Sequence, residues 1–514
     1  MDLIRKVVCY LTELWRKSSS SDDVDRHDVY PVHFIDQTGI IRDSIVTYMF
    51  RYDCVLDPKK LHGSLVQLLE QGDWRKFGGR LRRNIDGLLE IHVPRNDQKQ
   101  AVVRFSHISY AIQIKEHPLA CRLPQKTGQC PSIQEGCHTF RAFSVPPDLP
   151  NNIKHYLTTD EPLLSLRIIS FTDATLVSIT FPHAVTDAMG TADFLRAWSS
   201  MLADRLDQLP PVLGARGDVM ASVGTLDDKR SQSPHALEHR RIRGLSLVSL
   251  ILRLVWDRLT RRNIQARTIY LPAEFIARLR QSAQLDSQPS QPSGETEFSF
   301  LSDGDLITAW GAQMVLSSYA NGGPAIICNV FDLRSRIEDL FDPAGVYLQN
   351  LFLPTMIDLQ APPNGHSTMP LGHIARRIRH AIVEQATDAQ ARRLVRVMRA
   401  TIASTGLMPL FGSLGATIIA CTNWSKAQFR EAARFSPAAL PSRSPSAFTS
   451  GAGCDPGACV AFAGTIISAS DNPRDTFMIY GKDDEGNYWI HAYLRQETWD
   501  FIGKMFDQHK LGDA

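Results

Sequence analysis

The sequence lacks an excess of charge, a disulfide framework and a long apolar run. Its 56 lysines and arginines nearly balance 54 aspartates and glutamates, giving a formal net charge of +2, so we expect no nucleic-acid partner. Its nine cysteines are odd in number and scattered, which is typical of free thiols in a reducing compartment, and we expect a cytoplasmic location. No stretch reaches the about 20 apolar residues of a membrane-spanning helix.

Several familiar catalytic signatures are also missing. The sequence contains no Walker loop, no dinucleotide-binding fingerprint and no H-E-x-x-H. The segment 412–415, GSLG, is one residue short of the G-x-S-x-G elbow of serine esterases. Cys121, Cys130, Cys137 and His138 lie at spacings that match no usual zinc-ligand pattern. We therefore expect no metal and no permanently bound cofactor.

The N-terminal segment 1–17 has an amphipathic pattern, with apolar residues at helical spacing beside basic ones. It lacks the unbroken apolar core and the cleavage site of a signal peptide. Segment 18–23, SSSSDD, has the composition of a flexible tether. Two interpretations remain open: a helix that docks on the body of the protein, or a membrane-surface contact through residues 1–17.

At 514 residues the chain is too long for one core, and strand-like and helix-like segments alternate in it without an internal repeat. We predict four regions: an amphipathic helix and tether over 1–23, an α/β domain over 24–205, a connection over 206–265, and a second α/β domain over 266–514. The connection is polar and aperiodic up to residue 243, so His235 and His239 are expected to be solvated rather than to bind zinc. Segment 245–259 is apolar but interrupted by Arg253 and Asp257. This favours a buried or surface-docked helix over a membrane span.

Local patterns also predict individual elements. The dipeptide Asp86–Gly87 indicates a hairpin. Apolar spacing and capping residues predict helices over 272–283 and 302–318. Composition and alternation predict strands over 459–467 and 488–494.

The most informative stretch is FPHAVTDAMG, in which three residues separate His183 from Asp187. Segment 175–181 before it is rich in β-branched and aromatic residues and predicts a strand, and 191–202 after it has helical spacing. Histidine has an ordinary pKa near neutrality, so it can take a proton from a hydroxyl group at working pH. The spacing alone also fits a structural histidine, hydrogen-bonded where a strand meets a loop.

Further motifs give the stretch a context. His183 and Asp187, followed by Gly190, resemble the HxxxD signature of the BAHD acyltransferases. Other segments resemble family motifs in the same order along the chain, from about residue 31 to residue 494: 31–36, 77–81 (FGGRL), 302–310, 329–336 (NVFDLRSR), 347–350 and 421–424 (CTNW). The chain resembles in particular the divergent fungal members, such as the trichothecene 3-O-acetyltransferases.

This resemblance implies a fold and an activity. The fold would be α/β, of the chloramphenicol acetyltransferase type: two similar domains, each a mixed sheet flanked by helices, with a channel between them. The activity would be transfer of an acyl group, by default acetyl, from acyl-CoA to a hydroxyl of a secondary metabolite such as a terpenoid or polyketide. The enzyme would be monomeric and would form a ternary complex with acyl-CoA and a small-molecule alcohol.

The resemblance also implies residue roles. His183 would be the general base. Asp187 would face away from the reacting atoms and pair with an arginine that locks the histidine loop, and Arg334 and Arg336 are the candidates for that pairing.

Two further residues are assigned in the same way, each with a structural alternative. Thr422 would donate a hydrogen bond to the oxyanion, or be a strand threonine without a catalytic duty. Trp424 would wall the acceptor pocket, or be an ordinary buried tryptophan.

The sequence departs from the family at one motif. Where DFGWG is expected, residues 434–436 read Arg-Phe-Ser, which puts local packing and the thioester channel in doubt. Two alternatives stay open. One is a condensation-type transferase that uses a carrier-protein thioester, although Pro182 replaces the second histidine of those domains. The other is a catalytically silent member of the fold.

Overall fold

The computed structural model describes most of the chain. The described residues are 27–95, 100–260, 263–286, 300–319, 323–337, 339–360, 369–441, 455–467 and 473–512. The predicted N-terminal helix and tether lie outside the described residues, as does the contact proposed for residues 1–17.

The strands of the described chain are β1 (His27–Pro31), β2 (Ile45–Tyr52), β3 (Arg80–Arg83), β4 (Leu89–Pro94), β5 (Arg104–Ser109), β6 (Ser132–Glu135), β7 (Ser165–Ser170), β8 (Thr175–Pro182), β9 (Val212–Leu213), β10 (Ile264–Leu271), β11 (Ala325–Asp332), β12 (Val346–Tyr347), β13 (Phe352–Leu359), β14 (Thr417–Asn423), β15 (Ala461–Ile466), β16 (Thr476–Lys482) and β17 (Tyr488–Arg495). The α-helices are α1 (Gly39–Arg42), α2 (Pro58–Leu68), α3 (Arg141–Ser144), α4 (Ile153–Thr158), α5 (Ala188–Leu202), α6 (Leu245–Thr260), α7 (Ala273–Leu285), α8 (Asp303–Ser317), α9 (Leu371–Gln385), α10 (Asp388–Thr405), α11 (Phe429–Ala432) and α12 (Gln496–Gly512).

A five-stranded sheet, in the order β15-β2-β8-β7-β5, organises the first half of the chain. Its pairs are antiparallel except β5–β7. Strands β7 and β8 are buried along their whole length. Their apolar side chains contribute to two separate cores, so the sheet is covered on both faces. Helices α2 and α5 contribute to the same core.

A seven-stranded sheet, in the order β13-β11-β14-β16-β17-β10-β6, organises the second half. Strand β14 is parallel to both of its neighbours, and the other pairs are antiparallel. Helices α7, α8, α9 and α12 supply apolar side chains to the core on this sheet. The architecture is therefore α/β, with two mixed sheets flanked by helices, as the resemblance implied.

Each large sheet takes one strand from the other half of the chain. Strand β15 comes from the second half and pairs with β2 of the five-stranded sheet. Strand β6 comes from the first half and pairs with β10 of the seven-stranded sheet. The two halves are consequently interlocked through backbone hydrogen bonds rather than only in contact.

The connection 206–265 is packed on the protein, so the prediction of an exposed, solvated segment up to residue 243 is wrong in part. Met220, Val223 and His235 are buried. The guanidinium of Arg399, on α10, donates to the carbonyl oxygens of Met220 (2.8 Å) and Val223 (2.9 Å). The His235 ring packs on Phe411. Side chains of α10 thus satisfy the carbonyls of an irregular segment, which a local pattern cannot show.

Helix α6 lies within the connection. It begins at residue 245 as predicted and ends at residue 260, one residue beyond the predicted segment. Most of its side chains are exposed, whereas Leu250 is buried. Within the described part of the chain, no helix is both long enough and apolar enough to cross a bilayer.

Candidate active site

His183 lies where β8 ends, at the start of a single 3₁₀ turn, His183–Val185, that leads into α5. Its side chain is half-buried. The backbone is held from two sides: the His183 amide donates to the carbonyl of Ser44 (2.9 Å), and its carbonyl accepts from Nδ2 of Asn350 (2.8 Å). The ring therefore sits on a main chain fixed by residues from both halves of the protein.

The surroundings of His183 favour a neutral imidazole. Burial lowers its pKa below the ordinary value, and the nearby Asp187 carboxylate only partly opposes that effect. Nδ1 is buried and has no hydrogen-bond partner among the described residues. Because Nδ1 is sealed while the side chain as a whole is half-buried, the exposed part of the ring is the edge away from Nδ1.

Asp187 faces the interior and all of its lone-pair directions are occupied. It caps α5, with Oδ1 accepting from the Gly190 amide (2.9 Å), and Oδ2 accepts from the Leu351 amide (2.9 Å). Arg334 pairs with it in a bidentate manner, Nη1 to Oδ2 and Nη2 to Oδ1, each at 3.0 Å. This carboxylate therefore has no position free for a substrate, and it ties the histidine loop to the second half of the chain.

Arg334 is the arginine that Asp187 contacts, and Arg336 is not part of this ion pair. Arg334 also donates to Oδ1 of Asp332 (2.7 Å) and to the carbonyl of Tyr347 (2.8 Å). Burial acts to lower the pKa of Arg334, but the carboxylates of Asp187 and Asp332 outweigh it and raise the pKa above its ordinary value. The guanidinium is therefore a permanent buried cation between two carboxylates.

A second buried network, which the sequence did not assign to the site, also reaches His183. Asp36 is fully buried and accepts from both the amide (2.8 Å) and the side-chain Nδ2 of Asn350. Lys76, equally buried, donates from Nζ to the Val185 carbonyl (3.4 Å). Burial raises the pKa of Asp36 to about 6, although Lys76 and Asn350 oppose the rise.

Lys76 carries no signal in the sequence, because it lies among surface-like basic residues in WRKFGGR. Asp36 and Asn350 fall inside motifs that resemble the family, but nothing local shows that they meet.

Thr422 and Trp424 stand at the end of β14, where Oγ1 of Thr422 accepts from Nε1 of Trp424 (3.2 Å). The Trp424 ring packs against Tyr48 (5.6 Å between centroids) and Tyr480 (5.5 Å). Among the described residues, no hydrogen bond or ring contact joins either residue to His183. The structure thus brings together His183, Asp187 and Arg334 but leaves Thr422 and Trp424 at a distance.

Trp424 is linked to the His183 loop through β2. Tyr48, which Trp424 contacts, is three residues along β2 from Ile45, and Ile45 pairs with Pro182, the residue before His183. At the usual rise per residue, Tyr48 and Ile45 are roughly 10 Å apart along the strand.

Comparison with known proteins gives this geometry its context. No family model matches the sequence. The chain is 49% identical over 500 residues to acetyltransferase BOT5 of Botryotinia fuckeliana, covering 94% of this chain and 91% of that protein. It is 34% identical to acetyltransferase pyiB of Pyricularia grisea, covering 93% of each. A third relative, at 31% identity and covering 94% and 96%, is named transcriptional regulator calD of Penicillium decumbens.

Solved structures agree on the fold. F. graminearum TRI101 complexed with ethyl coenzyme A superposes with a TM-score of 0.62 at 13% identity, covering 93% of this chain and 97% of that one. Vinorine synthase superposes with a TM-score of 0.53 at 12% identity, covering 94% and 93%. At these identities the likeness shows a shared fold.

The chain belongs to the BAHD-like fungal acyltransferases. It is an acyltransferase by family and has the two-sheet fold that the resemblance implied.

Within this acyltransferase, the altered DFGWG motif still supplies a brace. Phe435, the residue that agrees with the family, is fully buried and packs on Trp198 (4.4 Å) and Tyr52 (5.5 Å). Its amide donates to the Gly457 carbonyl (2.9 Å). The segment is therefore anchored through Phe435, although the residues around that phenylalanine differ from the family motif.

The acyltransferase also has a groove of about 740 Å³, counting space open to solvent, between the two large sheets. It is lined by Arg51, Phe462 and Lys482 among others, and none of the three candidate residues His183, Thr422 and Trp424 lines it. Arg51 pairs with Leu176, at the end of β8 opposite to His183. The groove therefore extends toward the end of β8 opposite to His183, and Tyr480, on which Trp424 packs, is part of its lining.

A metal centre has no support in the described part of the acyltransferase, where no group of three or more histidine, cysteine, aspartate or glutamate side chains could hold an ion. Cys121 and Cys130 are exposed free thiols. Cys137 contacts Oη of Tyr480 instead (3.3 Å), and burial raises the pKa of its thiol to about 11.

Proposed function

We propose that this acyltransferase moves an acetyl group from acetyl-CoA to a hydroxyl of a secondary metabolite such as a terpenoid or polyketide, with His183 as general base. The observation that carries this proposal is the half-buried imidazole whose pKa is lowered by burial and whose main chain is fixed from both halves of the protein. The names of BOT5 and pyiB support acetyl as the donor group.

The proposed reaction uses the exposed edge of the ring. Nδ1 is sealed, so Nε2 would accept the proton of the acceptor hydroxyl while the hydroxyl oxygen attacks the thioester carbonyl carbon. The tetrahedral intermediate would collapse as the carbon–sulfur bond breaks, and the imidazolium would return the proton to the leaving thiolate. General-base assistance of this kind contributes about 10²–10⁴-fold.

Thr422 is the proposed oxyanion donor. Its hydroxyl oxygen already accepts a hydrogen bond from Nε1 of Trp424, so its own hydrogen remains available for donation to a ligand. One preorganised donor to an oxyanion is worth about 3 kcal/mol. Trp424 would then serve twice, by orienting Thr422 and by forming an apolar wall for the acceptor.

Asp187 and Arg334 have a positioning role in this proposal. Their ion pair would keep the His183 loop in one geometry while both substrates bind, which protects the alignment on which the rate depends. Since the residues that form the site all come from one chain, we propose that the enzyme works as a monomer. The seven described cysteines are free thiols, which supports a reducing location such as the cytoplasm.

The test is an assay of the purified full-length chain with acetyl-CoA and a panel of terpenoid and polyketide alcohols. Free CoA is measured with a thiol-reactive dye, and the acetylated product by mass spectrometry. We expect CoA release that depends on the acceptor and that disappears in His183→Ala. Activity only with a carrier-protein thioester would contradict the donor assignment, and silence across a broad panel would favour a non-catalytic member of the fold.

A further inference from the structure

The outward face of α6 is apolar, the reverse of what a surface helix usually shows. Val248, Leu252, Val255 and Trp256 are 51%, 64%, 51% and 68% exposed, whereas Leu250 is only 6% exposed. Spacings of four, three and one residues place the four exposed side chains on one face of the helix. The helix therefore contacts the protein through a narrow face that includes Leu250, and its broad apolar face is exposed.

Two further exposed leucines extend this apolar stripe, one on the helix itself and one on a neighbouring loop. Leu245, at the first turn of the helix, is 89% exposed, and Leu414 on a neighbouring loop is 54% exposed. That loop touches the helix, because a Cβ built on Gly415 would lie 3.4 Å from Nη1 of Arg253. A clustered apolar surface of this kind marks an interaction site. The outer patch is defined here by Leu245, Val248, Leu252, Val255, Trp256 and Leu414.

The chain at the outer patch is rich in arginine. Arg253 is exposed and makes no ion pair with any residue that the structure describes. Residues 253–262 contain four arginines and a single acidic residue, Asp257. That carboxylate is turned toward the protein, where Arg474 and Arg495 pair with it. The helix thus offers leucine, valine and tryptophan outward, together with the exposed guanidinium of Arg253.

We propose that the outer patch binds the surface of a bilayer that contains anionic lipids, with α6 lying in the plane of the interface. An apolar face with tryptophan, flanked by arginines, has the composition of interfacial helices, and anionic head groups complement its charge. The 16 residues of α6 are too few to span a bilayer, so the attachment is peripheral.

Charge also argues against the other occupants of the patch. A second copy of the chain would bring one arginine-rich helix against another, and like charges oppose that contact. The N-terminal segment 1–17 carries Arg5, Lys6, Arg16 and Lys17, so it meets the same repulsion. An anionic surface is the partner that satisfies both the apolar stripe and the arginines.

The test is co-sedimentation of the full-length protein with phosphatidylcholine vesicles, with and without phosphatidylserine. We expect binding to the vesicles that contain phosphatidylserine, and a loss of binding as salt is added. In Leu252→Glu/Trp256→Glu the partition coefficient should fall at least about tenfold. The matched control is Ile85→Glu/Leu226→Glu, since these side chains are 89% and 85% exposed elsewhere on the surface, and it should bind like the wild type.

Three outcomes would overturn the proposal. The first is a wild-type protein that binds no vesicles, or a Leu252→Glu/Trp256→Glu variant that binds them as well as the wild type does. The second is a wild-type protein that binds no vesicles and forms a dimer by light scattering, while Leu252→Glu/Trp256→Glu is a monomer. The third is binding that depends on Leu11 and Trp15 but not on α6. Both double variants should acetylate in solution at the wild-type rate. Vesicle binding is measured separately from that rate, so its outcome does not depend on the proposed function.

Discussion

His183 can act as a base only while its ring is neutral, and the protein secures that state by burial rather than by a charged neighbour. The only carboxylate that follows it closely in sequence, Asp187, is committed to Arg334, Gly190 and Leu351. Asp187 therefore does not complete a serine-protease type of triad with His183. The sealed Nδ1 leaves one nitrogen for chemistry.

Replacing His183 by alanine should lower kcat by at least about 10²-fold while the fold stays intact, because the proton acceptor is lost and the ring's aromatic contact, with Phe352, is loose (6.4 Å between centroids). CoA release measures the rate, and circular dichroism checks the fold. The matched control is His62→Ala, since His62 is also half-buried with a pKa lowered by burial. Equal losses in the two variants would refute a specific role for His183.

The activity should depend on pH through the same ring. Burial lowers the pKa of His183, so protonation of the base in the free enzyme occurs below the ordinary value of 6.5. The profile of kcat/KM against pH should therefore stay flat near neutrality and fall on the acidic side, with a midpoint below 6.5. A midpoint above that value would mean that a different group, or a charged histidine, controls the rate.

At the scale of elements, the Asp187–Arg334 pair joins the N-terminus of α5 to the turn after β11. Both side chains are largely buried, and removing one partner of such a pair leaves an uncompensated charge.

Arg334→Ala should therefore reduce the free energy of unfolding by about 3–5 kcal/mol and lower kcat as the histidine loop loosens. Arg336→Ala should change stability by less than about 1 kcal/mol, since Arg336 is not part of the pair. Urea unfolding and CoA release measure the two effects. The account is contradicted if the two arginine variants behave alike. Asp187→Asn should resemble Arg334→Ala in activity, and a fully active Asp187→Asn variant would rule out loop locking.

Local elements of this fold follow from the sequence more readily than their pairing does. The pattern at 302–318 predicts a helix, and α8 occupies Asp303–Ser317 with Ser302 and Asp305 forming the capping box. The hairpin at Asp86–Gly87 also forms, with Gly87 at a positive φ of 79° as its turn requires. Segment 459–467 predicts a strand, but nothing local shows that β15 joins the sheet of the other half, because that register depends on contacts distant in sequence.

In the candidate site, too, the sequence predicts local features better than contacts between distant residues. The spacing of His183 and Asp187 and the family-like order of the motifs indicate the centre of the site. The sequence leaves Arg334 and Arg336 as equal candidates for the pairing, and three-dimensional geometry decides between them. The burial of Lys76 cannot be predicted from the local sequence, since a basic residue next to other basic residues normally indicates a solvated surface.

At the scale of the whole molecule, the exchange of β6 and β15 makes each sheet dependent on the other half of the chain. The buried contacts of Asn350 with Asp36 and with the His183 carbonyl add a polar link between the same halves. Two domains joined in this way should not unfold independently.

Thermal unfolding of the full chain should accordingly be a single cooperative transition. Calorimetry and near-ultraviolet circular dichroism should give coincident midpoints. Two resolved transitions would show that the halves unfold independently. They would contradict the claim that the exchanged strands couple the unfolding of the two halves.

The most direct measurement of the central claim is a crystal structure of the enzyme with CoA and an alcohol acceptor bound. The account predicts that the acceptor hydroxyl lies about 2.6–3.2 Å from Nε2 of His183, the reach of direct proton transfer. A hydroxyl beyond that reach, or placed against another base while His183 faces only protein, would contradict it.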